Sequence, residues 1–185
     1  VNLLSLSCFS NKISELDTSK NRFLLILYCQ GNLLSNLDVT NNKFIRNIRC
    51  SNNQISSLNL TENKELLELK IANTELSNID ISKNIKLNRL DCESTNISEL
   101  NLVNNTELKY LSCHTTDIKK LDISNNKELI TLICYVNEIK ELDISSNKKL
   151  QYLRCNSTEI SNLNVSNNVE LLEITCDNNN ISELD

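Results

Sequence analysis

The chain has 185 residues, a net charge of −5, eight Cys and one His, and it lacks Pro, Trp and Met. Both signs of charge are interspersed and no Lys/Arg run exceeds two residues, so the basic footprint of a nucleic-acid partner is missing. No stretch approaches the roughly 18 apolar residues that span a bilayer, so membrane insertion is not expected.

From Leu3 onward the sequence follows a 21-residue repeat, L-x-x-L-x-C-x-x-N/T-x-I/L-x-x-L-D/N-I/L/V-S/T-x-N-x-x. Two consecutive units are LKYLSCHTTDIKKLDISNNKE from Leu108 and LITLICYVNEIKELDISSNKK from Leu129. The first slot falls at Leu3, Leu24, Ile45, Leu66, Leu87, Leu108, Leu129, Leu150 and Leu171. A fixed period of this length predicts a solenoid, in which each coil buries its apolar edge by stacking on the next. No change of composition marks a second domain, so residues 1–185 read as one array. It starts and stops on ordinary coils without polar caps, and is expected to be a segment of a longer chain.

Within each coil the stretch L-x-x-L-x-C predicts a short strand, with apolar residues inward and the intervening ones outward. Such strands would pair in parallel about 4.8 Å apart, giving a rod roughly 40 Å long. The second half of each unit, I/L-x-x-L-D/N-I/L/V-x-x-N, nearly copies the first, so either half could be the strand. The first is preferred because its outward slots vary freely between coils. Six slots (first, fourth, sixth, eleventh, fourteenth and sixteenth) are apolar throughout except at Thr18, in the sixteenth slot of the first coil.

The chain carries 32 Asn and a single Gly, and Asn tolerates the left-handed backbone region that turns use. Asn or Thr fills the ninth slot, and Asn fills the nineteenth from Asn21 to Asn168. Both are expected to form polar ladders that satisfy buried turn backbone. The Asp/Asn row of the fifteenth slot, from Asp17 to Asn164, is expected to do similar work. Cys fills the sixth slot in every coil but the fourth, where Ile71 stands. An even count suggests disulfides. A shared inward slot, in which Ile substitutes freely, predicts instead a ladder of buried thiols acting as small core hydrophobes. No C-x-x-C or Cys/His cluster points to a metal, and no cofactor is expected.

Function is expected on the outward slots, the third, fifth and seventh of each coil. These hold all four Tyr and the only His: Tyr28, Tyr110, Tyr135, Tyr152 and His114. With Arg49, Arg89, Ile133 and Arg154 they make a candidate ligand-binding set, because aromatic residues and Arg anchor interfaces. The densest group lies on coils six to eight, where His114 precedes Tyr135, Ile133 precedes Arg154, and Tyr110 and Tyr152 flank Thr131. Coils four and five carry a charged band of Glu68, Lys70, Arg89, Asp91 and Glu93. His114 with Ser112, Asp91 and Glu93 supplies the residue types of a general-base site, but an open sheet is not a pocket, and no enzyme activity is expected.

On these residues the chain resembles leucine-rich repeat proteins, whose units share L-x-x-L-x-L-x-x-N-x-L. The 21-residue unit, with Cys in the third leucine position, is similar to the bacterial internalin type. The ninth-slot Thr in four coils departs from that pattern. The resemblance implies an α/β-type leucine-rich repeat solenoid with little helix: a curved right-handed array of nine coils with a parallel sheet on its concave face. It also implies a secreted or cell-surface protein that binds other macromolecules. Three functions stay open: a module binding protein or glycan on the concave sheet, a rigid spacer, and a targeting region for an enzyme domain outside the segment. Uncapped coils could also associate end to end.

Overall fold

A computed structural model describes residues 2–184. Each coil contributes one three-residue strand, drawn from its third to fifth slots: β1 (Ser5–Ser7), β2 (Ile26–Tyr28), β3 (Asn47–Arg49), β4 (Glu68–Lys70), β5 (Arg89–Asp91), β6 (Tyr110–Ser112), β7 (Thr131–Ile133), β8 (Tyr152–Arg154) and β9 (Glu173–Thr175). They form one parallel sheet in sequential order, and every pairing joins the same slot of adjacent coils, as Leu111 pairs with Leu132. The first half of the unit is therefore the strand. The second half contributes one isolated bridge, Leu163 to Leu184, and no helix occurs among the described residues.

The strand is shorter than the pattern suggests, because the chain turns soon after its inward Leu or Ile. The eighth slot adopts positive φ in every coil, from Ser10 and Gly31 to Val136 and Asn178, at 51–67°. A Cβ on Gly31 would meet atoms of Ser10 at 3.6 Å, an ordinary contact, so its glycine serves the backbone angle rather than space. Asn fills this slot in only three coils, so the abundant Asn of this chain serves mainly elsewhere.

Its main work is hydrogen bonding. In the nineteenth slot, Asn63 Nδ2 donates to Val39 O (2.9 Å) and to Asn42 O (3.0 Å) of the preceding coil. In the ninth slot, Asn137 Nδ2 donates to Cys113 O (3.0 Å) and Cys134 O (2.9 Å), tying two coils together. Thr in that slot bonds no backbone beyond its own coil, as Thr95 Oγ1 donates to Cys92 O (2.8 Å), although Thr116 and Thr158 also meet the side-chain oxygens of Asn137 and Asn179 on the next coil. The fifteenth slot corrects the ladder expectation. Asp38 Oδ1 accepts from the backbone N–H of Thr40 (2.9 Å), a local Asx turn on an exposed loop, and its counterparts repeat it.

The core is the stack of inward slots. Leu108, Leu111, Cys113 and Ile118 of the sixth coil are fully buried, and Leu121 and Ile123 nearly so. Each large apolar side chain among them is worth about 1.5–3 kcal/mol relative to exposure, and the same six-slot set recurs coil after coil. All eight Cys are free thiols; Cys29, Cys50, Cys92, Cys113, Cys134 and Cys155 are fully buried, and Cys8 and Cys176 partly so. Ile71 occupies the same buried position. Burial pushes the Cys29 and Cys155 thiols up to about 12.

Candidate functional site

The outward residues of neighbouring strands stand side by side in the columns set by the repeat register. On β6 and the turns that follow β5, β6 and β7, Glu93, Ser112, His114 and Tyr135 form one network. His114 Nε2 lies 2.9 Å from Glu93 Oε2. Ser112 Oγ donates to the same carboxylate oxygen at 2.8 Å. The Tyr135 ring stacks on the imidazole at 4.0 Å between centroids and 12° between planes, with its hydroxyl 3.1 Å from Nε2. Thr115 Oγ1 lies 3.0 Å from Nδ1.

This arrangement does not pair the Ser112 hydroxyl with the imidazole. Ser112 is fully buried and its hydroxyl is bonded to Glu93 rather than to the imidazole. The carboxylate bridges serine and histidine, which holds both side chains in place. Beside it, Asp91 is half-buried with Oδ1 lacking a hydrogen-bond partner. Burial, then the neighbouring Glu93 carboxylate, push the Asp91 carboxyl up to about 6.

The remaining candidate residues fall into three groups. The Arg89 guanidinium lies over the Tyr110 ring, 3.5 Å from its centroid. Arg49 lies over Tyr28 at 4.4 Å, while its Nε donates to Glu68 Oε1 at 2.6 Å. That bond raises the Arg49 pKa further. Arg154 on β8 reaches Glu173 Oε1 at 2.9 Å. The structure thus joins His114 to Tyr135 and Arg89 to Tyr110 within three adjacent coils, with Ile133 alongside. Tyr152 and Arg154 follow on the next strand, Tyr152 being exposed. Tyr28 and Arg49 form a separate pair nearer the start of the array.

Sequence reasoning did not foresee which charges pair. Arg49–Glu68 and Arg154–Glu173 share one sequence offset, from the fifth slot of a coil to the third slot of the next. Glu93 and His114 occupy the same slot on adjacent coils. Opposite charges at those offsets are the signal that would have found them. A cavity of about 780 Å³ lies among the second halves of coils six to eight, away from the sheet, and includes Leu121, Ile123, Glu141 and Asp143. Its rim is bridged by Lys119–Glu138 (3.1 Å) and Lys140–Glu159 (3.6 Å). Among the described residues no three His, Cys, Asp or Glu side chains converge so as to hold a metal ion.

No protein-family model and no curated protein matches the sequence. Solved structures do. The functional domain of InlJ from Listeria monocytogenes, which includes a cysteine ladder, is 36% identical with a TM-score of 0.97, over 99% of this chain and 41% of that one. Internalin C2 from the same species is 20% identical with a TM-score of 0.90, over 94% of this chain and 80% of that one. A Leptospira interrogans leucine-rich repeat protein is 19% identical with a TM-score of 0.78, over 100% of this chain and 57% of that one. The last two support the fold alone. The present chain spans less than half the length of the InlJ domain. With its 21-residue coils, sequential parallel sheet and buried thiol row, this chain is a leucine-rich repeat solenoid similar to the functional domain of InlJ.

Proposed function

We propose that this array is a non-catalytic module that binds a protein through the concave outward face of its sheet, at a secreted or cell-surface location. The observation that carries the reading is the locked aromatic group of coils five to seven. His114 is fixed between Glu93 and Tyr135, and Tyr110 is capped by Arg89. Side chains held before association lose little conformational entropy on binding, so a partner meets a rigid, amphipathic surface. Kinship with internalins supports an interaction role and an extracellular setting. The pairing of Arg49 with Glu68 and of Arg154 with Glu173 removes two expected anchors from the free set, which centres the face on Tyr110, His114, Ile133, Tyr135 and Tyr152.

The test is selection of binders from a random peptide display library on the immobilised chain. Binders should lose at least about tenfold in affinity, or about 1.4 kcal/mol, on a variant with Tyr110, Tyr135 and Tyr152 all changed to Ser. The variant's unfolding midpoint should stay near that of the parent. Binders indifferent to that variant but lost on changing Lys119 and Lys140 would move the site to the opposite side of the coil.

A further inference from the structure

Along the sheet, the fifth slot of one coil and the third slot of the next are diagonal neighbours. Twice this diagonal joins a cation to a carboxylate, Arg49 to Glu68 at 2.6 Å and Arg154 to Glu173 at 2.9 Å. Between β4 and β5 the same diagonal joins two cations, Lys70 and Arg89. Among the described residues neither makes an ion pair. Glu68, the acid next to Arg89 in its column, is engaged by Arg49, and Glu93 is engaged by Ser112 and His114. Arg89 Nε is buried without a hydrogen-bond partner. Its guanidinium is nevertheless held over Tyr110 at 3.5 Å. An orphaned buried N–H of a charged group is costly, and two like charges on adjacent strands repel.

We infer that this diagonal is a docking point for a carboxylate of the protein partner, an Asp or Glu side chain lying between Lys70 and Arg89. The carboxylate accepts from the terminal Nη groups of Arg89 on one side and from the Lys70 ammonium on the other, with the Tyr110 ring backing the guanidinium. Asp91 and Glu93 lie beside Lys70 and Arg89, yet among the described residues neither carboxylate forms an ion pair with them, so both cations keep their donors for an incoming carboxylate. The inference rests on the proposed binding face and names the partner chemistry it selects: an acidic segment.

The probe is acetylated tetraglutamate amide, titrated into the labelled chain while the arginine Nε–Hε and lysine side-chain NMR signals are followed. The expected result is a saturable shift of the Arg89 and Lys70 signals, with those of Arg154 unmoved. Arg89→Gln and Lys70→Gln should each weaken binding about tenfold, and Arg154→Gln should leave it intact. Equal affinity for the Arg89→Gln variant overturns the inference. So does preferential binding of tetralysine, which would make Asp91 and Glu93 the docking point, or of oligogalacturonate, which would make the partner a glycan. Display-selected binders that need Tyr110 and Tyr135 but tolerate Arg89→Gln would sink the carboxylate clamp while leaving the binding face standing.

Discussion

Thr18 Oγ1 lies 2.8 Å from Asn42 Oδ1, a buried hydrogen bond between the first and second coils. Thr18 is the one polar residue in an otherwise apolar slot. In later coils that slot holds Leu, Ile or Val, and the matching Oδ1 atoms of Asn63, Asn84, Asn105, Asn126, Asn147 and Asn168 are buried with no partner. Thr18→Val would bring the first coil to the repeat consensus and yet strand the Asn42 oxygen. The expected outcome is a loss of about 1 kcal/mol, the scale of one unmade buried hydrogen bond, read from the denaturant midpoint. A gain in stability would mean that the apolar slot outweighs the bond.

Thr95 holds only its own coil, through Cys92 O. Asn32, Asn53 and Asn137 in the same slot also donate to the preceding coil. Thr95→Asn should add a bond to Ile71 O and raise stability by about 1 kcal/mol. Hydrogen exchange at the junction of coils four and five should slow in step.

Val136 is a β-branched residue at φ 51°. Left-handed backbone costs an ordinary L-residue about 1–2 kcal/mol, and more when branching crowds the main chain. Its side chain is half exposed and contributes little burial. Val136→Asn should therefore stabilise by about 1 kcal/mol. Because Val136 follows Tyr135, an unchanged His114–Tyr135 stack in the variant's NMR spectra would show that the strain is not what positions the ring.

The thiol ladder makes a kinetic prediction. With a disulfide reagent at mildly alkaline pH, Cys8 and Cys176 should react readily and the six interior Cys only on unfolding. Rapid reaction of all eight would contradict an enclosed row. The same burial sets an alkaline limit. Folded-state thiol pKa values of about 12 at Cys29 and Cys155 exceed the ordinary value of 9.0, so the fold binds those protons more tightly than the open chain. Stability from this source is complete below about pH 9 and declines as pH rises toward about 12.

Asp91 acts in the opposite sense from the turn aspartates. Its folded pKa of about 6 lies above the ordinary 3.8, so the folded chain holds the extra proton and stability falls as pH rises from about 4 to about 6. Asp17, Asp38, Asp80, Asp122 and Asp143 are lowered by hydrogen bonds from the Ser or Thr two residues on, so their contribution is present above pH 3.8 and lost as pH falls below it. Melting temperature should therefore drop between about pH 4 and about pH 6 in the parent. Asp91→Asn should flatten that drop and raise the melting temperature at neutral pH. An unchanged profile would show that Asp91 is not the group responsible.

The repeat period determined the solenoid and the inward row of Leu, Ile and Cys without any coordinates, and the variable outward slots favoured the first half of each unit as the strand, which puts every Tyr on one face. Burial alternates with residue spacing along a strand, and a repeat states that alternation many times over, so local pattern was enough. What tertiary structure alone decided is lateral. The choice of Arg49 for Glu68, the choice of Glu93 for His114, and the lack of a carboxylate partner for Arg89 among the described residues depend on how far each side chain reaches across adjacent coils. So does the rescue of Asn42 by Thr18. Those contacts are set by side-chain length, rotamer and competition among neighbours stacked a few ångströms apart, none of which has a period in the sequence.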